Sequence, residues 1–438
     1  MAENKKLSKL KTGLFSRSLS IAKFGMNAGI NYAATKITNG SVDDYMNLQA
    51  VKLTQELGEL KGSMMKAGQM LSVYGEHFLP AEANMVLKSL QSDSTVVDWP
   101  VMKRQLEEEL SDELLSQLEI NTVPIGSASM GQVYLAVHKV TQQKIALKIQ
   151  YPEVGLAIDS DVAALKKILS LAKIIPASID TTAIFAEVKS MLKQELNYLN
   201  EAQQTERYYE LTKGDNRFKV PRVFKEFSTE RILATEYMEG LRADHPLVQS
   251  LSQDRRNKLG ENFLDLYFKE LFNWHFIQTD PHLGNYKIEI DSYGNDKIVL
   301  LDFGAAKEYT NDFITAYKKM IKGAILDEKK LFEEGARGLG FITDTDSADY
   351  RETFKKFCYE TVEPFKPDTV FDWKTNDLPK RVFKGVFQFK KFDLRAPPQE
   401  LVFLDRKTAG VFMFLSTLKC RFNGRPLIKP YLESFETT

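Results

Sequence analysis

Four side chains in this sequence have the types and spacing to manage a polyphosphate: Lys148, Asp280, Asn285 and Asp302. Asp302 follows Lys297-Ile298-Val299-Leu300-Leu301, a short apolar run that reads as a strand. Its carboxylate would emerge from a rigid edge as a hard oxygen ligand for a divalent cation. Asn285 adds a neutral oxygen for a second cation position. Asp280 precedes it by five residues, where a carboxylate can orient or deprotonate an attacking group. Lys148 ends the run Ile145-Ala146-Leu147-Lys148 and offers a point charge to α and β phosphates. Each feature alone has an ordinary explanation. Asp302-Phe303-Gly304 makes a turn, a strand lysine is solvated surface, and Asp280-Pro281 and Leu283-Gly284 are turn signals. The conjunction and its order carry the weight.

That order, lysine, then Asp with Asn, then Asp-Phe-Gly, is the one in which a kinase fold places its Mg-ATP ligands. A fourth segment agrees and also departs. Gly126-Ser127-Ala128-Ser129-Met130-Gly131-Gln132-Val133 fits the phosphate loop G-x-G-x-x-G-x-V except at its second glycine. Even one Cβ at Ala128 narrows the accessible backbone angles, so this loop is expected to be stiffer. Gly126, Ser127, Ala128, Ser129, Gly131 and Val133 are the nucleotide-binding candidates here. Met238 joins them at the entrance to a hinge that Glu239-Gly240 would begin.

From about residue 60 to the C-terminus the chain resembles the UbiB/ADCK (aarF-domain) family of atypical protein-kinase-like proteins. Lys66-Ala67-Gly68-Gln69 with Ser72 fits that family's K-x-G-Q-x-x-S signature. Pro124 to Ser129 with Gly131-Gln132-Val133-Tyr134 fits its Ala-rich loop. Gln278-Thr279-Asp280-Pro281-His282-Leu283-Gly284-Asn285 is similar to its D-P-H-x-G-N catalytic loop. The resemblance implies an α+β, bilobal kinase-like fold, with a small mixed N-lobe, a mainly helical C-lobe and a helical N-terminal extension. It also implies ATP or ADP with Mg²⁺, in which Lys148 and Asp280 are catalytic and Asn285 and Asp302 hold metal.

The K-x-G-Q segment has its own periodicity. Leu53, Leu57, Leu60, Met64, Ala67 and Leu71 recur three and four apart, an amphipathic helix stripe. Lys66, Gln69 and Val73 share an adjacent face, so Lys66 and Gln69 can address one target. The resemblance implies that this helix lies over the nucleotide with Lys66 and Gln69 in a regulatory role, which disfavours phosphorylation of proteins in trans. Gln278-Thr279 stands where kinases carry His-Arg, so the arginine that anchors a phosphorylated activation loop is absent. No A-P-E motif follows at the expected distance; Ala396-Pro397-Pro398-Gln399-Glu400 comes far too late.

Kinases pair the strand lysine with a helix-borne glutamate. Lys193-Gln194-Glu195-Leu196-Asn197-Tyr198-Leu199-Asn200-Glu201-Ala202 resembles the family's E-x-D…E-A stretch, with Asn197 in place of Asp. Glu195 is the preferred partner for Lys148 and Glu201 the second. The expected organisation is 1–95, a basic segment and helical extension; 96–240, the N-lobe; and 241–438, the C-lobe. Helices are expected from about Trp99 to Leu118, Ile158 to Leu171 and Ile184 to Arg207, and strands over Val220–Phe224 and Arg231–Met238.

Composition sets bounds on these readings. The 438 residues, 43% of them apolar, can bury a large core. Formal charge is balanced at zero, so nucleic acid is not an expected partner. Cys358 and Cys420 are expected as reduced core thiols, and the five His show no zinc-ligand spacing. Residues 1–40 carry Lys5, Lys6, Lys9, Lys11, Arg17, Lys23 and Lys36 against Glu3, with apolar residues between. Three readings stay open for them: a helix on an anionic membrane surface, a solvated tail, or a mitochondrial presequence. No secretion signal and no run of 18 apolar residues occurs, so no transmembrane helix is expected. Ala409–Leu418 reads as a buried C-lobe helix. The expected location is cytoplasmic, peripheral on a membrane, or the mitochondrial matrix in a eukaryote.

Two functional classes follow. One is an atypical kinase-fold ATPase which, as the resemblance implies, serves isoprenoid quinone biosynthesis or lipid handling, by hydrolysis or small-molecule phosphorylation. Its partners would be a lipid or quinone precursor, a membrane and other quinone-biosynthesis proteins. The other is a nucleotide-switched scaffold without turnover.

Overall fold

The computed structural model describes residues 66–68, 70–71, 97–128, 130–171, 182–280, 282–366, 370–392 and 399–433. The expected basic segment, the stripe from Leu53 to Met64, Gln69, Ser129 and Pro281 lie outside the described residues. Two compact units emerge. The first comprises the described residues up to Glu206 with Pro221–Tyr237, and the second Arg207–Val220 with the residues from Met238 onward.

The first unit is built on strands β1 (Leu118–Ser127), β2 (Gly131–His138), β3 (Lys144–Gln150) and β5 (Ile232–Glu236), in that order and all antiparallel. Alternation decides which way each side chain points. Ile145, Leu147 and Ile149 are fully buried on one face, and Lys148 lies on the other, in register with Val133 and Leu233. Two helices, α1 (Trp99–Glu109) and α2 (Asp112–Ser116), replace the single helix expected to run to Leu118. The reason is local: Ser111 accepts a hydrogen bond from the Leu114 amide and starts a new helix. Gln132, fully buried, brackets the backbone amide and carbonyl of Val97 with its side-chain amide.

Helix α3 (Val154–Leu171) is followed by α4 (Thr182–Glu195) and α5 (Tyr198–Thr212). The single helix expected from Ile184 to Arg207 is thus broken at Leu196-Asn197. Asn197 accepts from the Asn200 amide through Oδ1 at 3.1 Å and caps α5. Strand β4 is only Phe218–Lys219, and Val223 makes an isolated bridge to Thr235 instead of the expected strand over Val220–Phe224.

The second unit is mainly helical around a broad aromatic core that includes Phe263, Phe268, Phe276, Phe303, Phe332 and Phe414. Its helices are α6 (Pro246–Gln249), α7 (Gln253–Lys269), α8 (Asn311–Leu326), α9 (Lys329–Gly338), α10 (Ala348–Thr361), α11 (Leu378–Phe387), α12 (Gln399–Thr417) and α13 (Arg425–Glu433). Small sheets sit among them. Strand β6 (Phe276–Gln278) pairs with β9 (Ala306–Glu308), and β4, β8 (Lys297–Leu300) and β7 (Tyr286–Glu289) form a three-stranded sheet. The expected helix over Ala409–Leu418 is the C-terminal half of α12. Cys358 and Cys420 are buried free thiols, and burial raises both above the ordinary thiol range. Among the described residues, no helix is long and apolar enough to cross a membrane.

Candidate functional site

In the first unit the site is organised by Lys148. Its ammonium bonds both carboxylate oxygens of Glu201, at 2.6 and 2.8 Å, and lies 4.9 Å from the centre of the Tyr198 ring. Helical spacing brings Tyr198, Glu201 and Thr205 to one buried face of α5, so the glutamate arrives beside the sheet. This corrects the expected pairing: Glu201, not Glu195, is the partner. The Asn197 break places Glu195 on the preceding helix, where it meets Lys66 at 3.0 Å. Lys66, Ala67 and Gly68 are helical and buried.

The loop between β1 and β2 is tied down at several points. The Ala128 amide donates to the Gly131 carbonyl at 2.8 Å, the Ser127 and Tyr151 hydroxyls meet at 3.3 Å, and the Tyr151 amide donates to the Met130 carbonyl at 2.9 Å. Gly126 pairs with Val133 across the hairpin. Gly131 is required by packing, since a Cβ there would stand 2.4 Å from the Ile149 carbonyl oxygen. A Cβ on Gly126 would find nothing closer than 3.8 Å.

In the second unit the segment with Asp280 and Asn285 hangs from β6. Thr279 donates its amide and hydroxyl to the Ala305 carbonyl, at 3.1 and 2.6 Å. Gln278 donates from Nε2 to the Asp280 carbonyl at 2.6 Å and accepts from the Tyr286 hydroxyl at 2.9 Å. The residues standing in place of His-Arg therefore brace the loop through hydrogen bonds. Burial, then the charges of Glu270, Asp280 and Asp302, hold Tyr286 far above its ordinary range, so its hydroxyl stays a donor.

The metal candidates flank one hairpin. The Leu301 amide donates to the Asn285 carbonyl at 3.0 Å, continuing the pairing of Tyr286 with Leu300, so Asp302 follows directly beside Asn285. Asn285 donates from Nδ2 to the Asp280 carbonyl at 2.9 Å, which leaves Oδ1 as the atom it can present to a cation. Asp302 accepts from the Gly304 amide at 3.0 Å. Phe303 is buried and stacks on Tyr208 with centroids 4.4 Å apart, which fixes the Asp-Phe-Gly turn from below. One amide oxygen and one carboxylate make a hard, sparse donor set. Mg²⁺ suits it, because that ion keeps waters and takes few protein ligands beside nucleotide phosphates. Among the described residues no group of three or more His, Cys, Asp or Glu is arranged to hold an ion.

Where the sequence leads one to expect a hinge, Met238 offers its carbonyl to the Lys287 ammonium at 3.0 Å, and Gly240 takes φ +144° where a Cβ would meet that of Lys287 at 2.9 Å. Sequence reasoning missed two residues of α12. Arg406 donates from Nη2 to Asp280 Oδ1 at 2.6 Å, with 16% and 13% of the two side chains exposed. Lys407 pairs with Glu270 at 2.8 Å, each 2% exposed. A signal was available: charged residues inside an otherwise apolar helix are rarely buried unless paired.

The antiparallel sheet with its strand lysine, the braced loop with Asp280 and Asn285, and Asp302-Phe303-Gly304 define a protein-kinase-like fold. A family model described as the ABC1 atypical kinase-like domain matches residues 89–335, and the chain belongs to that family, the UbiB/ADCK group. The mitochondrial atypical kinase COQ8 of Saccharomyces cerevisiae is 28% identical over 97% of this chain and 86% of its own length. Mitochondrial COQ8B of Rattus norvegicus is 30% identical over 89% of this chain and 73% of its own. Among solved structures, the Rv3197-erythromycin complex from Mycobacterium tuberculosis superposes with a TM-score of 0.62 at 24% identity, covering 90% of this chain and 98% of that one. That last likeness bears on the fold.

Proposed function

We propose that this protein is an atypical kinase-fold ATPase that binds Mg-ATP or Mg-ADP and turns it over by hydrolysis or by phosphorylating a small molecule. The reading is carried, in the first unit, by the bidentate Lys148–Glu201 pair and, in the second, by Asp302 and Asn285 at the base of one hairpin. The lysine, aimed by its glutamate, neutralises phosphate charge. Ser127, Ala128, Ser129 and Val133 are the residues proposed to contact the phosphates, and Met238 the one proposed to contact the base. Asn285 Oδ1 and the Asp302 carboxylate hold Mg²⁺, which screens the phosphates' charge. Asp280 orients or deprotonates the attacking group.

The COQ8 names of the relatives support a role in isoprenoid quinone biosynthesis, with a quinone precursor or lipid as ligand and other proteins of that pathway as partners. The basic residues before position 40 support peripheral attachment to an anionic membrane, in the mitochondrial matrix if the source is eukaryotic. Lys66 and Gln69 regulate access, and the buried Lys66–Glu195 pair supports that role for the lysine. The deciding assay measures phosphate release with and without vesicles containing anionic lipid. Turnover that vesicles raise, and that Asp280→Asn stops while nucleotide binding persists, supports the reading. Binding without turnover under both conditions replaces it with a nucleotide-switched scaffold.

A further inference from the structure

The catalytic loop of this chain lacks a basic residue in the two positions before Asp280, where Gln278 and Thr279 stand. Its main chain is nevertheless fixed. The Asp280 carbonyl accepts from both Gln278 Nε2 and Asn285 Nδ2, and Thr279 is bound twice to Ala305. These bonds hold the main chain; the Asp280 carboxylate is met from another part of the sequence. Arg406, 126 residues away in sequence, supplies a charged clamp, with Nη2 2.6 Å from Oδ1 in a setting where both side chains are largely shielded from water. An exposed ion pair would orient little, because water competes for both partners. This one is shielded and short, a geometry that favours a fixed carboxylate.

Arg406 is itself held. The next residue, Lys407, is anchored to Glu270 in the core, and Leu404 and Val411 on the same helix are fully buried. Helix α12 therefore cannot slide without breaking a buried ion pair, and its register sets where the guanidinium lies. The β6–β9 pairing and the α12 anchor converge on one carboxylate from two parts of the chain.

From this geometry we infer that Arg406 is a positioning residue for turnover, which orients the Asp280 carboxylate from α12. The inference rests on the proposed ATPase reading, in which Asp280 acts on the attacking group. Arg406 reaches Asp280 alone among the named site residues, so its loss acts on the chemical step and leaves Mg-nucleotide binding in place. A misplacement of about 1 Å at a reacting group costs on the order of a hundredfold in rate.

The test compares the full-length wild type with Arg406→Gln, Arg406→Lys and Arg406→Ala, reading kcat, KM for ATP, Mg-ATP affinity by calorimetry and melting temperature. Arg406→Gln should lower kcat by roughly a hundredfold with KM and affinity near wild type. Arg406→Lys should recover part of the loss, and guanidinium ion at sub-denaturing concentration should restore turnover to Arg406→Ala. In an Asp280→Asn background, Arg406→Gln should add no further loss. Unchanged kcat in Arg406→Gln, or kcat, affinity and melting temperature falling together with no recovery by lysine or guanidinium, would overturn the inference. A wild type that binds Mg-ATP without turnover overturns it as well, and a wild type that binds no nucleotide overturns the ATPase reading beneath it.

Discussion

Replacing Lys407 by methionine removes one charge from a deeply buried ion pair of the second unit and nearly preserves volume. Lys407 and Glu270 are each 2% exposed and 2.8 Å apart, and Glu270 Oε1 also accepts from Tyr208 at 3.1 Å. Deleting the ammonium strands the carboxylate, which costs about 3–5 kcal/mol for a buried pair. At roughly 2–4 °C per kcal/mol for a unit of this size, the melting temperature should fall by roughly 6–20 °C. Removing both charges, as in Glu270→Leu with Lys407→Met, relieves the stranded charge and leaves chiefly the lost acceptor of Tyr208, about 1–3 kcal/mol. The double variant should therefore be more stable than the single one. Burial already raises Glu270 above its ordinary value, although Lys407 opposes the shift. A carboxyl raised in the folded state contributes stability that is full below its unfolded pKa and lost as pH rises through the folded pKa. Without Lys407 the folded value rises further, so the deficit of Lys407→Met should shrink as pH falls from neutral towards the ordinary glutamate range. Melting curves followed by circular dichroism across pH provide the measurement. A single variant within a degree of wild type, or a double variant less stable than the single, would refute the argument.

Other outcomes follow from the first unit. Glu201→Gln should weaken Mg-ATP binding by roughly tenfold, about 1.4 kcal/mol, because Lys148 loses its charged partner, whereas Glu195→Gln should leave binding close to wild type; calorimetric titration of the two variants separates them. Gly131→Ala should destabilise by about 1–3 kcal/mol, since its Cβ would press on the Ile149 carbonyl, while Gly126→Ala should be nearly neutral, as thermal melts would show.

The sequence made the local chemistry legible and left the long-range partners hidden. Lys148, Asp280, Asn285 and Asp302 stand out as candidates because each sits in a short motif whose spacing suggests a local geometry. Strand β8 was readable from Lys297–Leu301, and it positions Asp302 nearly as expected. The choice between Glu195 and Glu201 was not readable from apolar spacing, which runs smoothly through both helices. The decisive residue was Asn197, whose capping bond breaks the helix and turns Glu201 towards the sheet. Arg406 lies farther still from any motif. Nothing local to Asp280 announces it, and only the burden of charge inside the apolar α12 hinted that its residues must find partners elsewhere. Gly131, read as a phosphate contact, is in addition required by strand packing.

Calorimetric titration of the full chain with ATP, in the presence and absence of Mg²⁺, tests the nucleotide site most directly. Saturable, Mg²⁺-dependent binding to one site is expected, abolished by Asp302→Asn and largely retained in Asp280→Asn. Absence of binding in the wild type, or Mg²⁺-dependent binding undiminished in Asp302→Asn, would contradict that expectation.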